Sequence, residues 1–339
     1  MFHFIGIDVS KATLQIYIPL KEENISIDNT NKSIGSLYSK LKKYYKKDYK
    51  DLVFIFEATG PYSLRLEHFC AEHNILIRLI NPRQSANFAK ALDNRSKSDI
   101  IDAKMLYQFH VLIRDEEIKV PIIDTLKERL GEMLSYYKLL KKQRNGFSNH
   151  LEALDAKEGS LYIRKQLSKE IKQLKVKEED ILKDMAQLIK SDEYLNERFK
   201  NLQTFKGIGS ISAIALIHLF ISYPQANRQE ITALSGLDAI EISSGTSLQK
   251  PSRISKRGNT IYRSILFMPV LSTVIHNPYM KAFYDRLKAN GKHSTLAQIA
   301  VMRKTMLIAH SLFKNNCKFD NDLYEKRVQW NPQDHDENT

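Results

Sequence analysis

Across residues 2–113, short apolar runs alternate with stretches whose apolar positions recur at helical spacing. HFIGIDV and TLQIYIP read as strands joined by a short turn at Ser10–Ala12, a β-hairpin. A basic helix is predicted over 31–47, then a strand at DLVFIFE, a helix over 62–73 and a strand at ILIRLI. Pro82 opens another helical stretch, and KSDIIDAKMLYQFHVLI closes the region as an amphipathic helix. Strands and helices in this order predict a mixed α/β domain whose central sheet is covered by helices.

From Leu126 the rhythm changes. Apolar residues step by fours and threes through Leu126, Leu130, Met133, Tyr137, Leu140, Phe147, Leu151 and Leu154, with Arg144 filling one slot. After a break at DAKEGS the same rhythm resumes through Leu167, Ile171, Leu174, Ile181, Met185 and Leu188. This is a heptad seam on two long helices, and it predicts a coiled-coil hairpin acting as a spacer or oligomerisation arm. The last third reads as mostly helical. NLQTFKGIGSISAIALIHLF is a helix, a tight glycine turn and a helix, followed by a glycine-punctuated loop, GLDAIEISSGTSLQKPSRISKRGN. Helices are predicted over 259–276, 279–289 and 294–314, and the polar tail NPQDHDENT is expected to be disordered. The expected division is therefore an α/β domain over 1–115, a helical hairpin over 125–192, an all-α domain over 193–320 and a tail over 321–339.

Charge narrows the partners. Among 339 residues, 52 Lys+Arg against 39 Asp+Glu leave a formal +13, which favours a polyanion: nucleic acid or an anionic membrane surface. No stretch is long enough to span a bilayer, since SILFMPVLSTVI is short and contains Pro269, and no secretory leader is expected. Nucleic acid is the better partner. The two cysteines, Cys70 and Cys317, argue against a disulfide scaffold or a cysteine zinc site and fit a reducing cytoplasm.

Four acids stand where apolar residues surround them. Asp8 ends one predicted strand and Glu57 another, while Asp99 and Asp102 lie three apart on one helix face. Converging carboxylates repel unless cations sit among them, and Mg²⁺ or Mn²⁺ is held by such oxygen ligands. Two such ions can clamp the attacking and leaving oxygens of a phosphoryl transfer. Singly, each acid also reads as a cap or a surface residue. GIDVS resembles the first phosphate loop of actin-like ATPases too, but the further glycine loops that such a nucleotide site needs are missing.

The glycine-punctuated segment packs Ser243, Ser244, Ser247, Ser252 and Ser255 among Lys250, Arg253, Lys256 and Arg257. It reads either as a flexible basic loop or as a nucleophile loop, where a serine beside Gly245 presents its hydroxyl and cations stabilise phosphate oxygens. The FKGIGSIS turn, with Lys206, Gly207 and Gly209, can expose amides to a phosphate as helix-hairpin-helix DNA modules do, or can simply close one helix on the next.

In order along the chain, GIDVSK, EATGPY, NPRQSANFAKA, KSDIIDA, GIG, SSGTS, ISKRGN and the late GK…RK make it resemble the DEDD transposases of bacterial insertion sequences. That family includes the pilin-inversion recombinases. The resemblance implies a RuvC-like, RNase H-like N-terminal domain, a coiled coil and a C-terminal transposase domain with a catalytic serine. It places Asp8, Glu57, Asp99 and Asp102 at the family's four Mg²⁺-binding acidic positions. Ser244 best matches the nucleophile, with Ser243 and Ser247 as alternatives. Lys11 of GIDVSK joins Lys206, Gly207, Gly209, Lys250, Arg253, Lys256 and Arg257 as the expected nucleic-acid contacts. The resemblance further implies a homo-oligomer, a structured guide RNA, DNA as substrate and a nucleoid-associated place in the bacterial cytoplasm. A hydrolytic junction nuclease needs the same acids without the serine, and a protein that only binds nucleic acid needs neither.

Overall fold

The computed structural model describes residues 2–92, 99–244 and 248–322 and divides into two compact units, Met1–Asp124 and Thr125–Thr339. In the first unit, β1 (His3–Val9) and β2 (Thr13–Ile18) form the expected hairpin. A third strand, β3 (Glu23–Asp28), extends it and was not foreseen, because its sequence ENISID carries too few apolar residues to stand out. Helix α1 (Asn31–Tyr45) follows, then β4 (Leu52–Glu57), α2 (Pro61–Glu72), β5 (Leu76–Ile80), α3 (Pro82–Ala91) and α4 (Asp99–Gln108). The sheet order is β3-β2-β1-β4-β5, with β1, β4 and β5 parallel and β2 and β3 antiparallel.

Strand alternation sorts the core into two layers. Ile5, Ile7, Val9, Leu52, Phe54 and Phe56 bury on one face beneath α1 and α2, against Ile34, Leu37, Leu41, Leu66 and Phe69. Val53 and Ile55 bury on the other face with Met105 and Leu106 of α4. Gly6 explains how close α4 comes. A Cβ there would lie 2.1 Å from the Ala103 carbonyl oxygen and 2.5 Å from the Tyr107 amide nitrogen, so only glycine admits the helix.

The second unit opens with α5 (Thr125–Ala156) and α6 (Leu161–Lys190), which run back on one another. Leu130, Tyr137, Leu140, Leu154, Leu174 and Met185 are buried at seam positions, but so are Leu134 and Ile189, which the heptad omits. The reason is that Leu130, Leu134, Tyr137, Met185 and Ile189 also belong to the helical core beyond the pair, so their helices bury a wider stripe than a two-helix seam requires. Arg144 meets Glu178 across the pair, Nε to Oε1, at 2.6 Å.

Among the described residues six further helices complete the core: α7 (Glu193–Gln203), α8 (Ser210–Ser222), α9 (Arg228–Ser235), α10 (Thr260–His276), α11 (Pro278–Ala289) and α12 (Ser294–Asn315). Helix α8 is buried nearly all round. The predicted glycine-punctuated loop is corrected in part: β6 (Ala239–Ser244) and β7 (Leu248–Ile254) pair antiparallel, with an irregularity between Ile240 and Ile242. Its β-branched residues are enough for a hairpin once paired, though serine and glycine mask the alternation. The polar tail beyond residue 322 lies outside the described residues.

Candidate active site

The parallel register of β1 and β4 pairs Gly6 with Ile55 and Ile7 with Phe56. Continued by one residue, it sets Asp8 beside Glu57, both half-buried at the carboxyl ends of neighbouring strands. Alternation puts Asp8 on the face of Gly6 and Glu57 on the face of Val53 and Ile55, the same face, which α4 covers. Asp102, also half-buried, immediately precedes Ala103, whose carbonyl lies over Gly6. Asp99 opens the same helix, one turn earlier. The fold thus brings the two strand-end acids to the helix that carries the other two. All four donors are carboxylate oxygens, the chemistry that suits a hard divalent cation. Among the described residues no three His, Cys, Asp or Glu side chains form a ready-made metal cage, and the Asp99 side chain lies outside that description.

The loops after the two strands are tied together by a residue the sequence did not flag. Asn29, only 4% exposed, donates through Nδ2 to the Ser10 carbonyl at 3.0 Å and to the Tyr62 carbonyl at 3.1 Å. Its backbone amide donates to the Ala12 carbonyl at 2.8 Å, and its own carbonyl accepts from Arg65. Ser10 closes the β1–β2 turn, accepting from the Thr13 amide at 3.0 Å. One amide side chain therefore links the turn after Asp8 to the helix after Glu57. No local pattern announces such a residue, since its partners are 19 and 33 positions away. Lys11, in the same turn, is exposed.

In the second unit, Ser244 is the last residue of β6, opposite Leu248, and Ser243 lies opposite Gln249. Ser247, the third nucleophile candidate, lies outside the described residues, as does Gly245. Lys250 and Arg253 sit on β7, with Arg253, Lys256 and Arg257 exposed near the hairpin base. That base is locked by Arg263, whose guanidinium donates to the carbonyls of Ser235, Gly258 and Lys256. Desolvation of this guanidinium lowers its pKa from the usual range, opposed by Asp238 nearby. Gly258 is needed there, since a Cβ would meet the Leu234 carbonyl oxygen at 2.0 Å. Asn259 caps α10, accepting from the Ile261 amide at 3.0 Å. The last two residues of ISKRGN thus have structural tasks that leave the preceding cations to face solvent.

At the other glycine turn, Gly207 has φ +107°, and a Cβ would strike Thr273 Oγ1 of α10 at 2.0 Å. Gly209 is open and serves as N-cap of α8, beside exposed Lys206. Gly207 is there for packing, and only Gly209 and Lys206 are presented outward.

Comparison with known proteins decides the family. Residues 5–154 match the transposase model for DEDD proteins of the IS110 type, and residues 199–285 match the transposase IS116/IS110/IS902 family. The chain belongs to the IS110-type DEDD transposase family. The pilin gene-inverting protein of Moraxella bovis is 27% identical over 337 residues, covering 95% of this chain and 99% of that protein. That of Moraxella lacunata is also 27% identical, over 339 residues, with the same coverage of both chains. This IS110-type transposase is thus an enzyme of the DNA transposase and recombinase class. The first match spans all four acids, and the second spans the serine hairpin and the glycine turn. Among its described residues no helix is long and apolar enough to cross a membrane.

Proposed function

We propose that this IS110-type transposase cuts and exchanges DNA strands by a divalent-metal-dependent transfer to a serine, guided to its sites by a structured RNA. The observation that supports it most is the register that sets Asp8 beside Glu57 under the helix carrying Asp102. In this reading Asp8, Glu57, Asp99 and Asp102 hold Mg²⁺ or Mn²⁺. The bound ion supplies Lewis-acid polarisation of the scissile phosphate and charge relief for its oxygens. The Ser244 hydroxyl gives up its proton to a carboxylate or to water, and its oxygen attacks phosphorus. The bond from phosphorus to the bridging deoxyribose oxygen breaks, and that oxygen leaves with the electron pair to become a hydroxyl. A phosphoserine diester results. Attack by another strand's hydroxyl reverses the step and releases the serine, so strands rejoin without nucleotide hydrolysis. Arg253, Lys256 and Arg257, with Lys206 and the Gly209 amide, neutralise flanking phosphates.

The guide RNA and homo-oligomeric assembly are proposed from the resemblance, and the +13 charge suits two nucleic acids at once. The test is a denaturing gel of protein with end-labelled element DNA and the flanking non-coding RNA, in Mg²⁺ or EDTA. A Mg²⁺-dependent adduct that survives SDS and vanishes in Ser244→Ala is expected. An adduct that persists in Ser244→Ala moves the nucleophile to Ser243 or Ser247. Cleavage with no adduct contradicts the serine mechanism and favours a hydrolytic nuclease.

A further inference from the structure

We propose that the groove between α1 and α2 of this transposase is a second DNA site, binding one unpaired strand on the face of the sheet away from the acids. The groove is lined on α1 by Lys32, Lys42 and Lys43 beside Tyr38, and closed by Phe69 and His73 at the end of α2. From Asn31 to Tyr45 there is no acid at all. Lys40, also on this wall, is already paired with Glu23 at 2.6 Å. Lys32, Lys42 and Lys43 have no carboxylate partner among the described residues, and all three are exposed. An uncompensated row of cations costs self-repulsion in the free protein, which an anionic polymer relieves.

The aromatic floor specifies which polymer. His73 is exposed yet held flat, its ring stacked on Phe69 at 4.0 Å and 18°, with Nδ1 3.0 Å from the Phe69 carbonyl oxygen. Tyr38 braces the stack edge-on to both rings. Lys42 is held over the Tyr38 ring at 4.3 Å. Gly35 keeps the helix surface low beside Phe69, whose ring edge is 3.9 Å from where a Cβ would stand. A flat exposed ring among unpaired cations is how proteins grip unpaired strands, with phosphates on lysines and a base on the aromatic. An anionic membrane has no flat ring to stack, and a duplex keeps its bases inside.

Lys32 to Lys43 is eleven residues of helix, about 16 Å at 1.5 Å per residue, enough for a few backbone phosphates. DNA is the polymer this enzyme class handles. The face buried beneath α1 and α2 is the one opposite Asp8 and Glu57, so the bound strand is held rather than cut.

The test uses full-length protein and a fluorescein-labelled oligothymidylate 20-mer in EDTA, followed by anisotropy over a salt series. For Lys42→Glu with Lys43→Glu, the expected result is at least a tenfold affinity loss. The log–log salt slope should shrink by about 1.4, at roughly 0.7 per lysine on single strands. His73→Ala should weaken binding without changing that slope, and His73→Phe should restore it. In the wild type, a 5-iododeoxyuridine strand should photocrosslink to the peptide holding His73. Asp8→Asn serves as the control: it should keep oligothymidylate affinity while losing strand cleavage, so the two sites fail separately. Unchanged affinity and slope in the double charge reversal overturn the proposal. So does tighter binding of oligouridylate lost in the same variants, which would assign the groove to RNA.

Discussion

Gly6→Ala tests whether the approach of α4 to β1 sets the acid geometry. The added methyl would sit 2.1 Å from the Ala103 carbonyl oxygen, 2.5 Å from the Tyr107 amide nitrogen and 3.0 Å from Tyr107 Cβ. Two of these atoms belong to helix backbone, so no side-chain rotation relieves them. Even to reach 3.0 Å, below which real Cβ contacts essentially never fall, α4 must retreat by about 1 Å. Overpacking of this kind costs roughly 1–3 kcal/mol, and displacements near 1 Å at a reacting site can cost about a hundredfold in rate. Asp102 adjoins the residue that is pushed, while Asp8 lies two residues along the strand that pushes. We therefore expect a lower melting temperature and, at a temperature where the variant is still folded, about a hundredfold loss of the proposed metal-dependent strand cleavage. Oligothymidylate binding at the α1–α2 groove should persist. A folded Gly6→Ala protein with wild-type cleavage would refute the claim that this contact positions the acids.

Two further outcomes follow from the second unit. Arg144 and Glu178 meet with side chains 21% and 13% exposed, so Glu178→Leu should cost about 1–2 kcal/mol after allowance for solvent screening, by stranding the guanidinium in the seam. Arg144→Leu with Glu178→Leu should recover that loss in denaturant melts, and a double variant weaker than the single would contradict the pairing. The pKa of His310, 4% exposed, is lowered from the usual value chiefly by burial and further by Lys314 and Arg228. The unfolded chain then binds the extra proton first, and stability falls as pH drops below about 6.5, levelling off below the folded pKa. His310→Gln should flatten that part of the stability curve, and an unaltered slope would refute it.

What the sequence discloses here follows the range over which each signal acts. Strands such as LVFIFE and helices such as α10 announce themselves because burial and periodicity are local properties. The ENISID strand does not, since it is ordered by pairing with β2 and not by its own pattern. The serine segment reads as a loop for the same reason, and pairing makes it a hairpin. Asp8 was visible as an anomaly, an acid inside an apolar run, and Glu57 as an acid ending one. Their adjacency was not, because it depends on the parallel register of β1 and β4. Asn29 and Arg263 were invisible, for each acts through carbonyls of distant segments. Gly6 had left a clue: a glycine inside a strand asks what comes close, and the answer is α4.

The most direct test of the account is where a divalent metal binds. Fe²⁺ substituted for Mg²⁺, with ascorbate and peroxide, cuts backbone within a few ångströms of its site, and the fragments can be read by mass spectrometry. The account predicts cuts near Asp8, Glu57 and Asp99–Asp102, suppressed by excess Mg²⁺ and lost together in Glu57→Gln. Cuts confined to other segments, or cuts at these three that survive Glu57→Gln unchanged, would contradict it.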